Sequence, residues 1–131
     1  MIGGTIEGRS MAIKTYKEVL SSDVKIYQTD AKTAEMSKYM DNAFLALKVV
    51  FCNEMYDMAE ACDVNYDELR EIWLADPRIG SSHTFVHENN RGFGGHCYPK
   101  DTQALLSHAK KLGVDLSVLE AAINKNKLWK S

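Results

Sequence analysis

A chain of 131 residues with 45% hydrophobic and 26% charged side chains is one domain's worth of globular protein, able to close a modest core. Its 16 basic and 18 acidic residues leave a formal net charge of −2, which gives no bulk field to recruit nucleic acid or an anionic membrane. No apolar run reaches the roughly 18 residues of a membrane span, and no basic-then-apolar signal opens the chain, so a cytoplasmic location is expected.

Met11 to Leu20 sets Ile13, Tyr16, Val19 and Leu20 in register for a short amphipathic helix, and Val24-Lys25-Ile26-Tyr27 alternates as a short strand. One helix and one strand cannot bury themselves, so residues 1–29 are expected to pack on the rest of the chain or to be the end of another domain. From Asp30 to Cys62 there is no glycine or proline, and Ala34, Met36, Met40, Ala43, Phe44, Leu47, Val50, Phe51, Met55, Met58 and Ala59 recur at helical spacing. One long helix is expected there. At 1.5 Å per residue it is about 45 Å long, more than a small domain is wide, which predicts cover from a second copy in a homodimer across residues 30–62. The methionine series Met36, Met40, Met55 and Met58 reads as packing, and Cys52 and Cys62 read as small buried hydrophobes.

Asn65 followed by Glu68 resembles a capping box, predicting a second helix over Tyr66 to Ala75 that Asp76-Pro77 stops. Residues 76–99 form a long irregular stretch carrying Arg78, His83, His87, Arg91 and a glycine cluster, and loops of that length in a compact domain are commonly functional. Asp101 to Lys111 reads as a helix stopped by Gly113, and Asp115 as the cap of a last helix reaching about Leu128. The expected fold is mainly α, built on one long helix with a short helix-strand segment ahead of it.

The chemistry gathers at Arg91 to Asp101, where Gly92, Gly94 and Gly95 free the backbone to lie against a ligand beside a single thiol, Cys97. From composition alone this is as consistent with a tight surface turn as with a reactive cysteine. The three cysteines cannot all pair and match neither a disulfide framework nor a zinc ribbon, which fits free thiols in a reducing compartment. His83, His87, His96 and Cys97 lack the orienting pattern of a metal site, so no metal is expected.

Ala34-Glu35-x-x-Lys38-x-x-x-Asn42, then Asn53-Glu54, then Asp76-Pro77-Arg78-Ile79-Gly80, then Gly92-Phe93-Gly94-Gly95-His96-Cys97-Tyr98-Pro99-Lys100-Asp101, in this order, closely resemble the UDP-glucose and GDP-mannose dehydrogenases. Ile2-Gly3-Gly4-Thr5 looks like the lead-in near the end of that family's dinucleotide-binding domain. The resemblance implies a dinucleotide-binding remnant over 1–29. It also implies a helical central domain over 30–131, of the 6-phosphogluconate-dehydrogenase C-terminal type. It further implies NAD-dependent oxidation of a sugar C6 alcohol to a carboxylate in two hydride transfers, through a thiohemiacetal and a thioester on cysteine. By resemblance Cys97 is the nucleophile, Lys38 and Asn42 the oxyanion-stabilising pair, and Asp101 the carboxylate that helps activate water. Arg78 would reach the substrate in the partner's site, Phe93, Gly94 and Gly95 would bind the nucleotide sugar, and Lys100 would contact the cofactor. Away from that company, a lysine and an asparagine four apart on a helix are usually a solvated face. UDP-glucose is favoured over GDP-mannose, although the residues leave both open. No Gly-x-Gly-x-x-Gly follows a strand, so this chain alone is not expected to bind NAD well or to be active. A non-catalytic helical dimerisation module remains the alternative.

Overall fold

In a computed structural model describing residues 1–130, β1 (Ile2–Gly3), α1 (Ile6–Lys17), β2 (Gln28–Thr29), α2 (Ala31–Ala61), α3 (Tyr66–Leu74), α4 (Cys97–Lys111) and α5 (Ser117–Lys130) follow in order. They fall in two compact units, Met1–Asp41 and Asn42–Ser131, with α2 continuing from one to the other.

In the first unit β1 and β2 pair in parallel, Ile2 opposite Gln28 and Gly3 opposite Thr29. The strand expected at Val24 to Tyr27 therefore forms later, at Gln28–Thr29, and only Tyr27 joins in, its carbonyl accepting from Ile2 N–H at 2.8 Å. The first helix also starts earlier than its apolar spacing suggests. Thr5 caps it by accepting from Gly8 N–H at 3.2 Å, and the chain leaves the helix after Lys17, so Val19 and Leu20 stay exposed. Arg9 ties the helix to the strand pair by donating to the carbonyls of Gly4, at 3.0 Å, and Thr29, at 2.7 Å. The entry to α2 is fixed by Asp30, whose carboxylate accepts from Thr33 N–H at 2.9 Å and Thr33 hydroxyl at 2.6 Å; these bonds hold its pKa below the usual value.

In the second unit the inner face of α2 is made of small residues, Ala43, Ala46 and Val50, three or four apart. They pack with Phe93, with Leu106 of α4, and with Leu119, Ala122 and Ile123 of α5 in one buried cluster. A second cluster joins Cys52 and Ala59 of α2 to Tyr66 of α3. Burial pushes the Cys52 thiol and the Tyr66 phenol above their ordinary pKa, and the contact between them adds to the Tyr66 shift. Cys62 departs from the expected burial: it lies in the turn beyond the last helical residue of α2 and is exposed. Met55 and Met58 are likewise on the outer face, with Phe44 and Phe51, and in the first unit Met36 and Met40 are exposed as well. The series expected to be packed is thus uncovered within the chain, because the small residues occupy the inward register.

Asn65 caps α3 as expected, accepting from Asp67 and Glu68 N–H at 2.9 and 3.1 Å. The start of α4 does not fall at Asp101 but four residues earlier, at Cys97. Pro99 reads as a breaker, yet in the first turn of a helix its missing N–H would have had no partner anyway. Gly113, at φ 70, ends α4 as predicted, with Val114 N–H reaching back to the Ala109 carbonyl at 2.9 Å. The last helix opens at Ser117, and Glu120 N–H donates to the Leu116 carbonyl at 2.9 Å, so Leu116 and not Asp115 holds the capping position. Among the described residues no helix is long and apolar enough to cross a membrane.

Candidate active site

Two asparagines seat the glycine loop. Asn126 of α5 takes both backbone groups of Phe93: its Oδ1 accepts from Phe93 N–H at 2.7 Å and its Nδ2 donates to Phe93 C=O at 2.9 Å. Asn53 of α2 accepts at Oδ1 from Arg91 Nε at 2.7 Å and from Gly92 N–H at 3.1 Å, while its own Nδ2 donates to Val49 C=O at 2.8 Å. Arg91 completes this side with bonds to Asn53 C=O at 2.8 Å and Asp57 Oδ1 at 2.6 Å, its guanidinium lying over the rings of Tyr56 and Trp129. Both asparagines are buried, which is tolerable because their amides are bonded.

This anchoring gives Gly92 a different purpose from the one its sequence suggests. Its φ is 71, and a Cβ there would stand 2.3 Å from Asn126 Oδ1, so the absent side chain makes room for the asparagine rather than for a ligand. Phe93 is buried in the core, anchoring the loop by its ring. Gly94 and Gly95 are exposed, and Gly95, at φ 74, turns the chain into α4.

Cys97 is the first residue of α4 and is exposed. One turn on, Asp101 is almost wholly buried, its Oδ2 accepting from Asn42 Nδ2 at 2.6 Å and its Oδ1 from Lys100 Nζ at 2.5 Å. Four spacings along a helix share a face, so the thiol and the carboxylate lie one above the other on α4. The structure thereby brings Asn42, Cys97, Lys100 and Asp101 into one neighbourhood. Lys38 lies on α2 one turn ahead of Asn42, its ammonium 5.6 Å from the centre of the Tyr39 ring. Arg78 is exposed and forked onto Asp76, whose carboxyl it holds below the usual range through its side-chain and backbone N–H groups. A pocket of about 280 Å³ opens beside the loop, lined by Asn53, His83, Asn90, Phe93, Gly94 and Tyr98 among others. No group of three His, Cys, Asp or Glu side chains that could hold a metal ion occurs among the described residues.

Residues 32–128 match the model of the UDP-glucose/GDP-mannose dehydrogenase family, central domain. The chain belongs to this family. It is 35% identical over 122 residues to the UDP-glucose 6-dehydrogenase of Rickettsia prowazekii, covering 93% of the chain and 27% of that relative. It is 40% identical over 103 residues to UDP-glucose 6-dehydrogenase YwqF of Bacillus subtilis, covering 79% and 23%. The structure of a UDP-glucose dehydrogenase from the hyperthermophilic archaeon Pyrobaculum islandicum superposes with a TM-score of 0.85 at 32% identity, over 95% of this chain and 28% of that one. The chain thus spans about a quarter of the length of the relatives it matches. The mainly helical fold on one long helix, expected from the sequence, is the fold of this family.

Sequence reasoning passed over Asn126 and Asp57, which seat the loop, and weighed a role for His83 only among the rejected metal ligands. Asn126 carries a usable signal: it falls in the apolar register Leu119, Ala122, Ile123, Asn126, where a polar residue implies a buried partner.

Proposed function

We propose that the chain is the central domain of an NAD-dependent UDP-glucose 6-dehydrogenase, oxidising the sugar C6 alcohol to a carboxylate through covalent intermediates on Cys97. The observation that carries the reading is the Asn42 to Asp101 hydrogen bond, which ties the family's helix motif to the helix that begins at Cys97, across 59 residues of sequence. In this reading the division of residues 1–29 from 30–131 separates the end of a dinucleotide-binding domain from the central domain.

The residues have complementary tasks. The Cys97 sulfur adds to the C6 aldehyde, forming a carbon–sulfur bond and an alkoxide. The Asn42 amide and the Lys38 ammonium stabilise the negative oxygen. Loss of a second hydride leaves a thioester, and water adds to its carbonyl, releasing the carboxylate and returning the thiol. Asp101 orients or deprotonates that water, which requires one of its oxygens to give up Lys100 or Asn42. Gly94 and Gly95, exposed between the anchored Phe93 and Cys97, offer backbone to the hexose, and Arg78 reaches a partner subunit's substrate.

The residues of this chain do not by themselves fit a dinucleotide. Gly3, the last residue of β1, is filled: a Cβ there would stand 2.5 Å from Ala34 Cβ, so this glycine serves close packing against α2 and not the approach of a phosphate. NAD, which accepts the hydrides, is accordingly held by chain outside residues 1–131 in this reading, and the chain alone is inactive. Isothermal titration showing tight NAD binding to the chain alone would refute this. The nucleophile is tested by alkylation with iodoacetamide, followed residue by residue with mass spectrometry. Cys62 is the control because it is also exposed. Faster labelling of Cys97 is expected; equal rates at Cys97 and Cys62 favour a non-catalytic helical module.

A further inference from the structure

Beside the cysteine stands a pair to which the reaction gives no task. The Tyr98 hydroxyl and His83 Nε2 share a 2.5 Å hydrogen bond, and the two rings meet edge to face with centroids 5.7 Å apart and planes at 88°. Tyr98 also meets the buried Phe93 ring edge-on, at 6.4 Å. Tyr98 directly follows Cys97, so its side chain is a handle on the first turn of α4.

His83 is held in a costly conformation to make this contact. Its φ is 64, the left-handed region that residues with a Cβ rarely adopt. Such backbone persists where the surroundings over-determine it, and here they do. The next residue, Thr84, is fully buried; its carbonyl accepts from the Tyr66 hydroxyl at 2.9 Å, and its own hydroxyl accepts from Arg70 Nε at 2.8 Å and donates to Ser81 C=O at 2.7 Å. Glycine would meet that φ at less cost, and what histidine adds there is its ring. The buried Nδ1 of that ring has no hydrogen-bond partner among the described residues, which leaves Nε2 and its Tyr98 partner as the ring's polar contact.

We propose that His83 is a positioning residue for Cys97. Through the Tyr98 hydroxyl it fixes the first turn of α4, so that the backbone N–H groups of Cys97 and Tyr98 meet negative charge developing at the sulfur in a set geometry. The inference rests on the proposed role of Cys97 as nucleophile and names what holds that nucleophile still.

The test is iodoacetamide labelling of Cys97 and Cys62 in the whole chain, as wild type, Tyr98→Phe, His83→Gly and the double variant, with urea midpoints measured in parallel. In wild type Cys97 outpaces Cys62. Each single variant slows Cys97 by about threefold to tenfold, the worth of one neutral hydrogen bond, and leaves Cys62 unchanged. The double variant is no slower than either single one, since both remove the same bond. A purely packing role would shift the urea midpoints and leave the ratio of Cys97 to Cys62 rates unaltered; that result overturns the positioning role while the nucleophile stands. Equal rates in wild type overturn both. Tyr98→Phe removes one hydroxyl and keeps the ring, so it decides the matter alone if His83→Gly does not fold.

Discussion

Replacing Asn126 with alanine removes the two hydrogen bonds that hold Phe93, at 2.7 and 2.9 Å, and strands a backbone N–H and a C=O in the buried interior. A buried backbone group left without its partner costs about 1–3 kcal/mol, so Asn126→Ala is expected to lower the unfolding free energy by about 2–5 kcal/mol, a large part of a domain's usual margin. Urea denaturation followed by circular dichroism measures it. Gly92→Ala supplies the second corner of a cycle. Its new Cβ would stand 2.3 Å from Asn126 Oδ1 and 3.2 Å from Trp129 Cε3, at a φ of 71 that already disfavours it. In the Asn126→Ala background the closest of these clashes is gone, so the two losses should fall short of adding, by about 1–3 kcal/mol. A loss below about 1 kcal/mol for Asn126→Ala, or strict additivity with Gly92→Ala, would refute the clamp.

Arg91→Lys keeps the charge but loses the fork that spans Asn53 and Asp57, and should cost about 1–2 kcal/mol in the same urea assay; a neutral change would mean the fork is idle. The chain is expected to sediment as a homodimer at micromolar concentration, with Phe44→Glu and Met58→Glu, at side chains 64% and 58% exposed, yielding folded monomers. A wild-type monomer under those conditions removes the dimer from the reading. Tyr66 is neutral when protonated and its folded pKa is raised above the ordinary 10.0, so the unfolded chain gives up this proton first. Stability that Tyr66 contributes is therefore complete below pH 10 and lost as pH rises above it, by up to about 1.4 kcal/mol per pH unit. The advantage of wild type over Tyr66→Phe should narrow above pH 10 in urea titrations; a constant difference contradicts the shift.

The long helix was legible because thirty-odd residues without glycine or proline, apolar at helical spacing, leave little else to form. Its facing was not. The large apolar residues Phe44, Phe51, Met55 and Met58 attract the eye as core, yet it is Ala43, Ala46 and Val50 that turn inward, since close helix packing favours small side chains there. The start of α4 was misplaced by four residues, since a proline such as Pro99 is compatible with a helix only in its first turn, a position that local pattern does not reveal. Gly92 was legible as a special backbone position, while its reason, the Asn126 amide 34 residues later in sequence, could not be read from local pattern.

The buried polar side chains argue against a module that only assembles. A dimerising helical domain needs an apolar face and a core; Asn53 and Asn126 serve that core only through the loop they seat, and each of Asn53, Asn126 and Asp101 must recover its lost hydration by bonds of fixed geometry. All three direct bonds to one region. Asn53 and Asn126 pin residues 91–93, and Asp101 holds Asn42 and Lys100 one turn beyond Cys97. Between the pinned loop and that carboxylate lie Gly94, Gly95, His96 and Cys97, all exposed. A rigid frame around a short accessible segment is what an enzyme needs to present one thiol in a set place, because misplacement of a reacting group by about 1 Å costs on the order of a hundredfold in rate. The energetic choice written into these three residues is thus intelligible for a site that holds a nucleophile.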